Sequence, residues 1–202
     1  MTEPKNDQQN HRYVLLDSCI FNHLDIPELR DQIMGMLEGA IKIGYITAFS
    51  RFTFFELIDT ASIENEMNST DKVADMAGIV AFDVDEEVLN ASGHMGSLYK
   101  DDNVAKMPEP GDKIIAATSV LKNAVIFTTN GRDFPVPFFR VISTPVLKYN
   151  KSGRQVHLTG YFLEPNIPVL ETMWGQRFEE GKRLREARSK QIEAQSKPEE
   201  KK

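Results

Sequence analysis

Four acidic residues stand at points where a fold could gather them. Asp17 closes the apolar run YVLL, Glu56 sits inside FTFFELI, Asp112 opens DKIIAATSVLK, and Asp133 follows the apolar run AVIFTT within NGRDF. Carboxylates crowded into one partly desolvated cleft raise each other's pKa, so such a group is unfavourable unless a cation lies between them. Oxygen-only ligation, with no His or Cys, suits Mg²⁺ or Mn²⁺, which retain water and meet phosphate oxygens. An ion held in this way polarises a phosphate, activates water and stabilises a leaving oxygen, which is the chemistry of phosphodiester hydrolysis.

Each acid also has a plainer role open to it. Asp17 can cap a helix that follows its strand. Asp112, in the first turn of its own helix, complements the positive end of the helix dipole. Asp133 suits a turn in NGRDF. Glu56 is harder to explain in this way, because large apolar residues surround it in the sequence and an acid among them needs a reason.

The acids need elements to hold them. YVLLD reads as a strand, and IPELRDQIMGMLEGAIK, with Leu29, Ile33, Leu37 and Ile41 four apart, reads as an amphipathic helix that Pro27 begins and Gly44 ends. YITAF is a second strand, after which Ser50 caps a helix with Phe54, Phe55, Ile58 and Ala61 on its apolar face; the following ENEMNSTDK reads as a loop or a frayed helix end. GIVAFDV is a third strand, and Asp85 caps the helix DEEVLNASGHMGSLY despite its two glycines. DKIIAATSVLK is a helix presenting Ile114, Ile115, Thr118 and Leu121, AVIFTT a fourth strand and FRVIS a fifth. Continuous apolar strands alternating with helices predict an α/β fold with a parallel sheet covered on both faces, whose ligands bind at the carboxyl ends of the strands.

Beyond this unit the pattern changes. VLKYNKSGRQVHLTGYFL reads as a β-hairpin turning at Asn150 to Gly153, 172–195 as a charged helix and SKPEEKK as a disordered end. The expected division is a flexible N-terminus at 1–12, a main domain at 13–142, and a hairpin, charged helix and tail at 143–202.

The chain of 202 residues has 24 Lys and Arg against 30 Asp and Glu and is 41% hydrophobic, a globular composition that excludes wholesale disorder. Its net charge of −6 argues against nucleic-acid affinity by bulk charge, although residues 176–202 carry a local excess of cations and a metal held by carboxylates reverses the sign locally. A single cysteine, Cys19, rules out an intrachain disulfide and a cysteine-rich zinc site. No apolar stretch approaches the roughly 20 residues of a membrane span, and MTEPKNDQQN lacks a signal peptide's apolar segment, so a cytoplasmic protein with no membrane partner is expected. No GxxxxGK or GxGxxG segment supports nucleotide binding.

The motifs in order are Asp17-Ser18-Cys19-Ile20 after an apolar strand, Ser50 six residues before Glu56-Leu57, Gly111-Asp112-Lys113-Ile114-Ile115-Ala116-Ala117, and Thr128-Thr129-Asn130-Gly131-Arg132-Asp133-Phe134. Over residues 13–142 this series resembles the PIN-domain nucleases, and among them the VapC-type toxins. The resemblance implies a three-layer α/β/α fold and a metal-dependent endoribonuclease that hydrolyses single-stranded RNA without a covalent intermediate. It implies Asp17, Glu56 and Asp112 as catalytic and metal-binding acids with Mg²⁺ or Mn²⁺, and either Asp133 or Asn130 in the fourth position. Ser50, Thr128 and Asn130 would contact the substrate or fix a carboxylate by hydrogen bonds. RNA, an antitoxin protein and a second copy of the chain are the implied partners. The alternative is a PIN-like module that binds RNA or protein without cutting.

Overall fold

The computed structural model describes residues 12–59, 79–102 and 107–195. Residues 1–11, Ala61, the polar stretch ENEMNSTDK and the terminal SKPEEKK lie outside them. The chain divides after Pro165 into two compact units.

The first unit is built from β1 (Arg12–Leu16), α1 (Ser18–His23), α2 (Pro27–Lys42), β2 (Tyr45–Ser50), α3 (Arg51–Asp59), β3 (Val80–Phe82), α4 (Glu86–Asp101), α5 (Pro110–Lys122) and β4 (Ala124–Thr128). A single 3₁₀ turn, Gly131–Asp133, follows, then β5 (Phe139–Ser143), β6 (Val146–Lys151), β7 (Arg154–Thr159) and β8 (Tyr161–Pro165). Six strands form one sheet in the order β3-β2-β1-β4-β8-β5. The pairs β1–β2, β2–β3 and β1–β4 are parallel, while β8 runs antiparallel to both β4 and β5. The fold is thus α/β with a mostly parallel sheet. From β1 the chain moves outward to β2 and β3 on one side, and β4 is laid on the other, so the strand order reverses between β1 and β4. A crevice opens at the carboxyl ends of strands where such a reversal occurs.

Local chemistry accounts for the element ends. Pro27 occupies the first turn of α2, where a missing N–H costs nothing. Gly44 follows at φ +94°, a backbone state that favours glycine. The Asp85 carboxylate accepts a 2.9 Å bond from the Val88 amide and caps α4. Asn123 takes the left-handed conformation between α5 and β4, and the buried Ser119 hydroxyl donates to the Ala124 carbonyl at 2.6 Å across that turn.

Alternation along the strands divides the core. Val14, Leu16 and Phe127 pack in one cluster with Ile20, Leu29, Ile33 and Leu37 of α1 and α2. The intervening Leu15 and Ile126 are fully buried on the other face, by the strand period of two. α5 packs against β4 and β8. Val88 and Ala91 of α4 form a further cluster with Ile114 and Ala117 of α5.

Three sequence expectations change. On α2 the stripe ends at Leu37, and Ile41 is 54% exposed in the last turn. On α3 the buried residues are Thr53 and Leu57, one position away from the expected face, and Phe55 is 58% exposed. The reason is that the sequence run FTFF offers apolar side chains on every side of the helix, so periodicity alone does not select a face.

The third change concerns the segment after residue 142. The β6–β7 hairpin turns through Ser152 and Gly153, at φ 52° and 77°, a pair of positive φ values matching the twist of a two-residue hairpin loop. Its inner row is part of the core, with Leu147 fully buried and Tyr149 and Leu158 packed on the cluster that contains Leu16, Ile33 and Phe127. YFLEP does not extend the hairpin; as β8 it enters the main sheet between β4 and β5. The Gly160 amide donates to the Pro145 carbonyl at 2.8 Å, closing the hairpin base, and a Cβ on Gly160 would lie 3.2 Å from the Phe127 ring.

The second unit contains α6 (Ile167–Gln195), longer at its start than the expected 172–195. The Asn166 carbonyl accepts from the Val169 and Leu170 amides, and the Thr172 hydroxyl donates to the Pro168 carbonyl. Among the described residues no helix is long and apolar enough to cross a membrane.

Because Leu147 fills a core position, Leu147→Ala should destabilise the protein by about 2–5 kcal/mol in urea unfolding, the usual cost of a buried leucine truncation. A hairpin merely attached to the domain would lose less than about 0.5 kcal/mol, as exposed positions do.

Candidate functional site

Asp17 follows β1 directly and is 4% exposed. Its amide donates to the Phe127 carbonyl at 3.1 Å, which ties the end of β1 to β4. Both oxygens of its carboxylate accept hydrogen bonds from neighbours. Oδ1 accepts the Ser18 amide at 2.7 Å, and Oδ2 accepts the Thr128 hydroxyl at 2.6 Å and the Cys19 thiol at 3.1 Å. The helix-capping role open to Asp17 is therefore realised on α1. Thr128 is fully buried, and its Oγ1 also accepts the Asn130 amide at 2.9 Å, so one hydroxyl links the first acid to the turn that carries the fourth.

That turn is the 3₁₀ segment Gly131–Asp133. The Asp133 amide donates to the Asn130 carbonyl, and the Asn130 side-chain amide donates to Asp133 Oδ2. Asp133 is buried, 3% exposed. Asn130 and Asp133 are thus bonded to one another, and the two candidates for the fourth position form a single unit.

Asp112 lies in the first turn of α5, where Oδ2 accepts the Glu109 amide at 3.0 Å. The capping role coexists with a second one. Burial, then the charges of Asp133 and Asp17, push the Asp112 carboxyl up to about 7; the Glu109 N–H opposes the shift, and the Glu56 charge adds to it. Burial also raises the Glu56 pKa, the Ser18 hydrogen bond lowers it, and the charges of Asp17 and Glu109 raise it further. Asp112 therefore feels the charges of the other three sequence-predicted acids, and Glu56 feels that of Asp17.

Glu56 reaches this group because α5 begins without a side chain in its way. A Cβ on Gly111 would overlap Glu56 Oε1 and stand 2.6 Å from Phe52 Cε1. Gly111 is thus a cradle for the second acid, a role that its place directly before Asp112 hints at in the sequence. Sequence reasoning also passes over Ser18, which hydrogen-bonds Glu56, and Glu109, which borders it.

Ser50 and Thr128 are fully buried, and both serve the chain itself. The Phe52 amide donates to the Ser50 hydroxyl at 3.3 Å at the start of α3, so Ser50 caps that helix as expected. Thr128 fixes Asp17. Substrate contact by either would require exposure that neither has. Cys19 is a positioning neighbour: its sulfur accepts the Thr129 amide at 3.3 Å, and burial with the adjacent Asp17 charge pushes the thiol up to about 12. A group with that pKa stays protonated near neutrality and is no nucleophile.

The donor set can be tested for a metal. It consists of carboxylate oxygens, the chemistry that hard divalent ions prefer, and the raised carboxyls of Asp112 and Glu56 are what a cation would relieve. Among the described residues no three His, Cys, Asp or Glu side chains form a group ready to hold an ion. Mg²⁺ is ordinarily held by one or two carboxylates together with water and phosphate oxygens, so a three-carboxylate cage is not required for the donor set to fit.

No family model matches the chain. No curated protein matches it either. Among solved structures, it is similar to a chain of VapBC2 from Rickettsia felis bound to a DNA fragment from their promoter, with 16% identity and a TM-score of 0.49 over 62% of this chain and 93% of that one. It is similar to a chain of VapBC-1 from nontypeable Haemophilus influenzae, with 20% identity and a TM-score of 0.48 over 61% and 90% of the two chains. A toxin–antitoxin complex from Klebsiella pneumoniae gives 20% identity and a TM-score of 0.45 over 61% and 92%.

The raised Asp112 pKa sets the sign of a pH effect. Below the ordinary carboxylate value both folded and unfolded chains are protonated there. Between about pH 4 and about 7 the folded chain keeps a proton that the unfolded chain releases, so metal-free stability falls as pH rises through this window. Urea midpoints of Asp112→Asn should fall less steeply than those of the native sequence over the same range. Equal slopes would mean that Asp112 does not feel the shared field.

Proposed function

We propose that the chain is a Mg²⁺- or Mn²⁺-dependent endoribonuclease that hydrolyses phosphodiester bonds in single-stranded RNA. The observation that carries this reading is the raised carboxyl of Asp112, which burial and the charges of Asp133, Asp17 and Glu56 produce together. Acidic charges that converge on a buried carboxyl raise its free energy, a cost that a recruited cation would remove. Asp17, Glu56, Asp112 and Asp133 would hold the ion, which supplies a polarised phosphate and an activated water. Thr128 and the Ser18 amide fix the Asp17 carboxylate for that task, and Asn130 fixes Asp133. Glu56, its pKa raised mainly by burial, would orient the attacking water and accept its proton. Single strands are favoured as substrate because their exposed bases can stack on aromatic side chains and splay into a cleft.

The motif resemblance extends the reading to the toxin of a toxin–antitoxin pair, with an antitoxin protein as partner and a cytoplasmic site of action. One observation favours the alternative of a non-catalytic RNA- or protein-binding module: among the described residues no three-ligand group is ready-made.

Metal-dependent cleavage separates the two readings. A mixed RNA pool should be cut with Mg²⁺ or Mn²⁺ and left intact with EDTA. Asp17→Asn, Glu56→Gln and Asp112→Asn should each lower the rate on the order of 100-fold or more with unchanged circular dichroism. Asp133→Asn tests the fourth position, and native activity in that variant removes Asp133 from the catalytic set. Cleavage that is equal in EDTA and disappears on further purification would sink the nuclease reading.

A further inference from the structure

The segment from Thr144 to Leu163 contains Lys148, Lys151 and Arg154 and no Asp or Glu. Leaving out these three cations, the chain has 21 Lys and Arg against 30 Asp and Glu. The β6–β7 ribbon is therefore a cationic element on an acidic protein. Its outer face is exposed along its whole length, with Lys148, Asn150, Gln155, His157 and Thr159 on it, while on the opposite row Leu147 is buried and Lys151 and Arg154 are exposed at the tip. Among the described residues no carboxylate forms an ion pair with Lys148, Lys151 or Arg154. The cations of α6 differ, being interleaved with Glu179, Glu180 and Glu186, which offset them.

One further observation points to an anionic ligand. Lys151 and Arg154 are direct cross-strand partners beside the turn. Like charges in that position destabilise a hairpin, and a bound anion removes the penalty. The ribbon is also held in a fixed register. The Gln32 side chain of α2 donates to the Lys148 carbonyl at 2.7 Å and accepts the Lys148 amide at 3.0 Å, as a neighbouring strand would.

The ribbon springs from the end of the sheet that carries the acids. Ser143 at the end of β5 is paired with Phe162, and Tyr161 at the start of β8 is paired with Thr128, whose hydroxyl holds Asp17. We propose that the β6–β7 ribbon grips the phosphate backbone of RNA through Lys148, Lys151 and Arg154; the identity of the polyanion rests on the ribonuclease reading. Such a surface supplies affinity without reading sequence.

The test measures binding of the full chain to a labelled, unstructured oligouridylate by fluorescence anisotropy in EDTA, over a range of salt, so that no cleavage is needed. Lys148→Gln, Lys151→Gln and Arg154→Gln combined should weaken binding at low salt by roughly tenfold. They should also flatten the slope of log affinity against log salt by about two, since each single-strand phosphate contact contributes roughly 0.7. Glutamine keeps the length and polarity of these exposed side chains, and circular dichroism confirms the fold. Lys42→Gln, Lys100→Gln and Lys122→Gln combined remove the same charge elsewhere and should leave the slope close to native. Superimposable curves for native and ribbon variant, or an equal fall in the control, would overturn the proposal. Binding with a ribbon-dependent slope in a protein that does not cleave RNA with metal would uphold the ribbon and reject the nuclease. Metal-dependent cleavage with a ribbon-independent slope would do the reverse.

Discussion

The hydrogen bond from Thr128 to Asp17 holds the rest of the site together. It closes the ends of β1 and β4, the pair between which strand order reverses, with a charged acceptor and a hydroxyl donor 2.6 Å apart in a buried setting. A charge-assisted bond of this kind is stronger than a neutral one, and leaving either partner unsatisfied in the interior carries a full desolvation cost. The same hydroxyl oxygen accepts the Asn130 amide. The position of one acid thereby determines the path of the turn that presents another.

Around that bond the protein reconciles two demands on its acids. Asp17 caps α1, and Asp112 completes the capping box of α5 with Glu109, so each has a local reason to be there. Yet burial, with the charges of Asp133, Asp17 and Glu56, pushes the Asp112 carboxyl far above its ordinary range. Local capping gives each carboxylate a stabilising contact that helps offset the shared repulsion. An isolated capping acid would need neither Gly111 beneath Glu56 nor a second buried acid at Asp133.

Much of this was legible in the sequence because the parallel strands are written as apolar runs and the acids fall at their ends. The entry of α2 at Pro27, the Asp85 cap and the Ser50 cap follow from residue type at a single position. The face of α3 was not legible, since FTFF is apolar at successive positions and only tertiary packing chooses Thr53 and Leu57. The placement of β8 was hidden for another reason. A short strand such as YFLEP after a hairpin can continue it or join another sheet, and the contact that decides is with Ile126, Phe127 and Thr128, more than thirty residues earlier. The burial of Ser50 and Thr128 likewise depends on neighbours remote in the chain.

The intercalation of β8 has a consequence for the order of synthesis. Among the described residues β5 is paired with β8 alone and is separated from β4 by it. A nascent chain that has emerged only as far as Ser143 has β1 to β4 available, but its fifth strand has no neighbour and its β4 has an open edge. Unpaired apolar edges of this kind are templates for association with other chains. The sheet can close only when the ribosome has released Pro165, so the strand carrying Thr128 gains its second neighbour late, and chains stalled or truncated within the hairpin are exposed to aggregation before they can assemble the acidic crevice.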